Sequence, residues 1–291
     1  MKTTAGFFAV NLIVWRFCHC AVKVRPKRPI QWMIQDFRAM LSDRDRVYDA
    51  LIAFLAITLM VATFAVVKDM ISLVQPFSWD PAFAALDRAL HGGVDPWRLL
   101  WPVFGTPWVT MVINVAYHAW FVVLYFMVAL AVFDRSDLHR RMTFLVAFAL
   151  VWIVGGNLLA IAFSSAGPVY YEAMGFGDTF VPQMERLYAM GETVPLWALD
   201  LQEALLYNYQ TEGPVRGISA MPSMHVANAV LIALFGFAYA RWLGWVLSAF
   251  ALLTMIGSVH LAWHYAVDGY LGAILAVACW YGAKWLAARF A

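Results

Sequence analysis

Six stretches of the chain are apolar over roughly the 20 residues that an α-helix needs to cross the hydrocarbon core of a bilayer. They cover residues 48–67, 107–133, 142–163, 219–240, 243–262 and 265–287, the last two separated by almost nothing. Six spanning helices are predicted from them. Between the first two, residues 68–105 carry Trp79, Asp80 and Pro81, then His91-Gly92-Gly93 and Asp95-Pro96-Trp97. Their Trp, Pro and Gly content predicts an interfacial or re-entrant element packed on the outer face. Residues 183–209 set Leu187, Tyr188, Met190, Leu196, Trp197, Leu201, Leu205 and Leu206 among acids, with Pro195 interrupting. Two short amphipathic pieces over the outer leaflet are expected there, serving either as a lid that gates lipid access or as structural packing.

Before the first span the pattern is mixed. Residues 5–22 are apolar but interrupted by Asn11, Arg16 and His19. A signal sequence has an uninterrupted apolar core and a small-residue cleavage site, so an N-terminal anchor or interfacial helix is expected instead. A basic cluster follows (Lys23, Arg25, Lys27, Arg28). Residues 30–46 then mix Trp32, Met33, Ile34, Phe37 and Met40 with Asp36, Arg38, Asp43, Arg44 and Arg46, which suits a helix lying in the cytoplasmic interface. The expected division is an N-terminal anchor and interfacial helix over 1–47 and a six-span domain over 48–291.

Composition narrows the class. The chain is 63% apolar and 13% charged, against about 25% charged in ordinary soluble domains. The fold class expected is an all-α integral membrane bundle. A net charge of +2, without a basic patch interleaved with aromatics, gives no sign of a nucleic-acid partner. Cys18, Cys20 and Cys279 imply no disulfide framework. Cys18-His19-Cys20 has no second ligand cluster to complete a metal site.

Charge also orients the bundle. If the six spans alternate, Arg135, Arg140, Arg141, Arg241, Lys284 and Arg289 fall on the same side as the basic cluster at 23–28. That side is the cytoplasm by the positive-inside rule. The opposite side receives 166–218, where Glu172, Asp178, Glu185, Glu192, Asp200, Glu203 and Glu212 outnumber Arg186 and Arg216. It also receives His225, His264 and Asp268, so the candidate site faces outward, to a periplasm or lumen, with a bacterial inner membrane as the expected location.

Two motifs carry the candidate chemistry: GISAMPSMHVAN over 217–228 and GSVHLAWHYAVDG over 257–269. In the second, His260, His264 and Asp268 are spaced four apart, which predicts that they stack on one helix face. Ionisable groups in membrane segments are functional hypotheses by default. An imidazole can attack phosphorus when its other nitrogen is held by a carboxylate, and His264 with Asp268 offers that pair. His225 is free to protonate a leaving alcohol. Pro222 suits a first helical turn, so Ser223 and its neighbours are expected to present amides to a phosphate. A zinc site on His260, His264 and Asp268 is the alternative, because histidines at i and i+4 are a usual ligand spacing. HExxH is absent. Asn157, after Gly155-Gly156, reads as helix-packing glue, and Trp263, Tyr265 and Tyr270 read as interface anchors.

Pro222-Ser223-Met224-His225 followed by His264-Tyr265-Ala266-Val267-Asp268 resembles the second and third signature motifs of the type 2 phosphatidic acid phosphatase superfamily. The context SAMPSMHVA and the closing HYAVD are most similar to its inositol phosphorylceramide synthase-like branch, an inositolphosphotransferase group. The resemblance implies a cofactor-free, metal-independent enzyme in which His264 is the nucleophile through a phosphohistidine, Asp268 orients it and His225 is the general acid. Two departures stand out. Gly257-Ser258 occupies the place of the superfamily's Ser-Arg, and its Lys…Arg-Pro motif has no faithful copy, the nearest stretch being Ser164–Tyr171. Arg216 is the best substitute cation, Ser223 is a further phosphate-binding candidate, and Arg186, His260 and residues of the 68–105 element are weaker ones. The expected substrates are a phospholipid, sphingolipid or polyprenyl phosphate. Water as acceptor makes the protein a phosphatase and an alcohol makes it a headgroup transferase, with transfer slightly favoured. A lipid transporter or flippase-like binding protein on the same fold is the rival from another class.

Overall fold

The structure is a computed structural model. It describes residues 19–134, 136–213 and 216–289, together with residues 6, 10, 13, 14, 16 and 17. Asn11, Cys18 and Arg135 therefore lie outside the described residues. Among those described, all regular structure is helical. In chain order the main helices are α1 (Pro29–Ser42), α2 (Arg44–Val74), α3 (Asp80–Leu90), α4 (Pro96–Phe104) and α5 (Pro107–Phe133). Then come α6 (Leu138–Ala162), α7 (Val181–Gly191), α8 (Trp197–Gln210), α9 (Met224–Tyr239), α10 (Arg241–His260) and α11 (Ala266–Ala287).

Among the described residues, five helices are long and apolar enough to cross a membrane: Val47–Val74 within α2, then α5, α6, α10 and α11. The remaining predicted run, 219–240, is helical only as α9, which has 16 residues, because 219–223 approach it as an irregular loop with a bend at 221–222. The first run also differs from its predicted extent. α2 continues past 67 to Val74 and so carries Lys68 and Asp69 within the helix.

Leu51, Leu55, Leu59 and Val66 of α2 are exposed. A helix apolar all round has no water-facing side to present, so such residues are suited to lipid contact. The bundle core lies between α5, α6, α9, α10 and α11, with Phe144 packed on Phe235 at 4.4 Å between ring centroids. One end of the bundle is basic. There Arg141 lies 3.5 Å from Asp49 of α2, and Arg140 pairs with Asp134 and reaches the Ala238 carbonyl at 3.4 Å. The starts of α2 and α6 and the end of α9 therefore meet, which leaves the start of α9 and the end of α2 at the opposite end.

Within α6, Val151–Leu159 is π-helical. Such insertions are frequent at functional sites. A Cβ on Gly155 would lie 2.5 Å from Leu275, and one on Gly156 would lie 2.7 Å from Phe64. The glycine pair thus lets α6 press against both α11 and α2. Asn157 Oδ1 has no hydrogen-bond partner among the described residues, so the interhelical bond expected of it is not made through that oxygen.

The two amphipathic pieces predicted around Pro195 are α7 and α8. Gln183 of α7 donates to the Val259 and His260 carbonyls at 2.8 and 3.2 Å, and Gln202 of α8 donates to the Leu261 carbonyl at 2.8 Å. The last carbonyls of a helix lack intrahelical partners, and these buried amides supply them for α10. Asn114 of α5 accepts from the Ala198 amide at 3.1 Å. α7 and α8 are thereby fastened to the bundle, and Leu201 and Leu205 of α8 reach the cavity described below.

Candidate active site

The chain turns sharply between α10 and α11. α10 ends at His260, Ala262 takes a φ of 61°, and α11 begins at Ala266. The expected stacking of His260, His264 and Asp268 on one helix face therefore does not occur, because the break falls between the two histidines. The His260 Nε2 is 2.9 Å from the Thr110 hydroxyl, and its ring lies 5.4 Å from that of Trp101, away from His264's surroundings. The i, i+4 histidine geometry that made a zinc site worth considering is absent with it.

His264 nevertheless keeps its carboxylate. Its Nδ1 is 3.2 Å from Asp268 Oδ2, and the same oxygen accepts the Tyr265 amide at 3.0 Å. Asp268 is the third residue of α11 and reaches back over the helix start as the acidic member of a capping box. The pairing thus arises from a cap rather than from one turn of a continuous helix. With Nδ1 held, Nε2 is the nitrogen available for chemistry.

The first motif also begins its helix later than expected. Ser223 is the N-cap of α9 and accepts the Val226 amide at 3.4 Å, so Pro222 lies outside the first turn. The Ser223 amide donates to the Asp268 carbonyl at 2.9 Å, which ties the two motif turns together. His225, in the first turn of α9, stacks on Tyr117 at 4.6 Å and against Trp120 at 4.3 Å. Its ring centroid is 6.4 Å from that of His264.

Both rings border a cavity of about 300 Å³, whose lining also includes Lys68, His118, Tyr117 and Trp152. Arg216, Ser223 and His260 are not part of that lining, although Gly217–Ser219 are. Arg186 sits over Trp97 and Trp101 instead. Sequence reasoning covered Lys68 only as part of the 68–105 element and did not single it out, because the first span was ended at 67. Its signal was a lone lysine–aspartate pair closing an apolar run. His118 was missed inside the second run, where one histidine among aromatics carries no pattern.

Buried carboxylates brace this end of the molecule. Asp80 accepts the Ala166 and Gly167 amides at 2.9 and 2.8 Å and the Tyr265 hydroxyl at 2.9 Å. Tyr265 is therefore a buried strut, not the interface anchor expected. Tyr270, also read as an anchor, is exposed and its hydroxyl lies 2.8 Å from His91 Nε2. Asp87 accepts the Ala266 and Val267 amides at 2.7 and 2.9 Å. Burial pushes both carboxyls up from the ordinary range, with these hydrogen bonds pulling partly back.

A family model described as the PAP2 superfamily matches residues 81–282. The chain belongs to the PAP2 superfamily. No curated protein and no solved structure matched it. PAP2 superfamily membership points to phosphatase or phosphotransferase chemistry on lipid phosphates in a membrane setting. His225, His264 and Asp268 all fall within the PAP2 match, whereas Lys68, on the same cavity, precedes it.

Proposed function

We propose that the chain is a metal-independent lipid phosphotransferase that works through a phosphohistidine on His264. The observation that carries the reading is the His264–Asp268 couple bordering one cavity with His225 and Lys68. Nucleophilic attack and proton transfer each need an approach of about 3 Å. Both rings border the same cavity of about 300 Å³, which gives a phosphoryl group space to reach the two imidazoles.

In the first half-reaction His264 Nε2 bonds to phosphorus as the phosphorus–oxygen bond to the leaving alcohol breaks, and His225 gives that alcohol its proton. In the second, His225 takes the proton of an acceptor hydroxyl, whose oxygen displaces His264. Asp268 holds the imidazole and balances its positive character in both. Lys68 supplies the fixed charge for the phosphoryl oxygens that Arg216 was expected to provide. Among the described lining residues Lys68 is the one lysine or arginine, on an otherwise mainly apolar and aromatic wall, which suits a phosphodiester better than a dianionic monoester and favours headgroup transfer to a lipid alcohol over hydrolysis. This agrees with the inositol phosphorylceramide synthase-like character of the two motifs. The short α9 is read as the sixth crossing, and the cavity then faces periplasm or lumen, opposite the basic end.

The test uses purified protein in detergent, a labelled panel of lipid monoesters and diesters with and without lipid alcohols, and excess EDTA. Turnover that resists EDTA and vanishes in His264→Ala is expected, with transfer products when an alcohol is supplied. Turnover abolished by EDTA would overturn the metal-independent mechanism. Lipid binding by both proteins without turnover by either would favour the transporter.

A further inference from the structure

We propose that Asp87, with Asp80, is a positioning residue for His264, so that the interfacial helix α3 is a working part of the active site. The inference rests on the reading of His264 as the nucleophile. The two carboxylates lie seven residues apart on α3, close to two helical turns, and therefore on one face. That face is turned to the segment that follows His264. Asp87 takes the amides of Ala266 and Val267, the first two residues of α11. Helix geometry gives those amides no partner of their own. Asp80 takes the Tyr265 hydroxyl. Asp268 takes the Tyr265 amide and the His264 ring. Every residue from Tyr265 to Val267 is thus hung on a carboxylate, and two of the three carboxylates come from a helix about 180 positions away in sequence.

This arrangement differs from an ordinary cap. A start of α11 served by a local Ser, Thr or Asn would need no distant partner. Here both α3 carboxylates are buried, and among the described residues neither has an ion-pair partner. Burying such groups on backbone donors is costly unless all their bonds are made, so the arrangement is rigid or it is lost. Asp268 is the third residue of α11, and any tilt of the helix start moves its carboxylate against the His264 ring. Asp80 adds a second constraint by holding the Ala166 and Gly167 amides. The 166–167 loop in turn packs on the chain at Trp263, next to His264. α3 thereby fixes the nucleophile's turn from two directions.

The test compares intact protein, Asp87→Asn and Tyr265→Phe in detergent. An Asn at 87 keeps the shape but replaces one acceptor oxygen with a donor facing an amide. Tyr265→Phe removes one hydroxyl only, and keeps the test open where Asp87→Asn fails to fold. Three readouts are taken: amide exchange over 264–268 against exchange in the α5–α6 core, the rate of His264 carbethoxylation by diethyl pyrocarbonate, and kcat and KM for the lipid substrate. Expected are exchange over 264–268 at least about tenfold faster with the core unchanged, altered His264 modification, and kcat down about tenfold or more at near-constant KM. Unchanged local exchange and unchanged His264 reactivity in both variants would overturn the proposal, whether or not the intact protein turns over. So would faster local exchange with kcat intact. Intact protein without turnover, combined with altered His264 reactivity in the variants, would fail the phosphotransfer reading while the positioning of His264 by α3 stands.

Discussion

Adding one methyl group at Gly167 probes the packing of the histidine turn. Gly167 has φ 99° and ψ 164°. That region of backbone space is reached essentially by glycine alone, and forcing another residue there costs about 1–3 kcal/mol. A Cβ on Gly167 would also lie 2.7 Å from the Trp263 carbonyl oxygen and 3.2 Å from Ala220 Cβ. The first neighbour is backbone and has no rotamer to yield, so overpacking adds about 1–3 kcal/mol. Reduced freedom of the unfolded chain returns about 0.4–1 kcal/mol. Gly167→Ala should therefore cost about 1–6 kcal/mol, a large share of a typical folding free energy of about 5–15 kcal/mol. Gly175→Ala is the control: its φ is 80° and nothing lies within 4 Å of the built Cβ. It should show the backbone penalty without the clash. Denaturant titration in a mild detergent measures both, and turnover of the folded fraction is followed alongside. Trp263 adjoins His264, and a displacement of about 1 Å near a reacting group can cost about 100-fold in rate, so Gly167→Ala should also lose activity while Gly175→Ala keeps it. Equal costs for the two variants, with activity retained in both, would refute the argument that the Trp263 carbonyl is braced by this loop.

Lys68→Gln should lower kcat/KM by about 10- to 100-fold, the worth of one charge-assisted hydrogen bond, with Lys68→Arg recovering part of it; an unchanged kcat/KM in Lys68→Gln would remove the lysine from the site. Gln183→Leu removes the side-chain donor to the His260 carbonyl, whereas the Val259 carbonyl keeps the Ala262 amide at 3.1 Å, so the cost should be about 1–3 kcal/mol for one unsatisfied group; a denaturant midpoint matching that of the intact protein would show that α7 does not cap α10. At the basic end, partial burial would raise the Asp134 carboxyl, but bonds from Ser136 and Arg140 hold it below its ordinary value of 3.8. A depressed folded value means that Asp134 stabilises the fold above the unfolded value and that this is lost as pH falls through the folded one. Asp134→Asn should thus be destabilising by about 1–3 kcal/mol at pH 7, and the gap to the intact protein should narrow below about pH 3.8; a gap that is constant with pH would contradict the assignment.

The amino-acid sequence alone determined whatever depends on short-range regularity. Lengths of apolar runs located five of the six expected spanning helices, since each must satisfy its own backbone in lipid; the run at 219–240 produced only the 16-residue α9. Pro195 divided 183–209 into α7 and α8. The two histidine motifs were legible as local strings, and His264 and Asp268 are indeed paired. The sequence was misleading where a helical period was extended across a break: spacing alone does not reveal that α10 stops at His260, because the carbonyls it exposes are taken by Gln183 and Gln202 from distant helices. The tertiary structure decided the rest. It brought Lys68 from the end of α2 to the cavity that His225 and His264 border, and turned His260 toward Thr110. It also placed Asp80 and Asp87 against the start of α11. Each of these depends on a contact between residues far apart in the chain, and such a contact leaves no periodicity to read. A lysine at the end of an apolar run or an aspartate on an interfacial helix looks the same whether it faces lipid headgroups or a buried amide. Only the packing of the helices distinguishes the two.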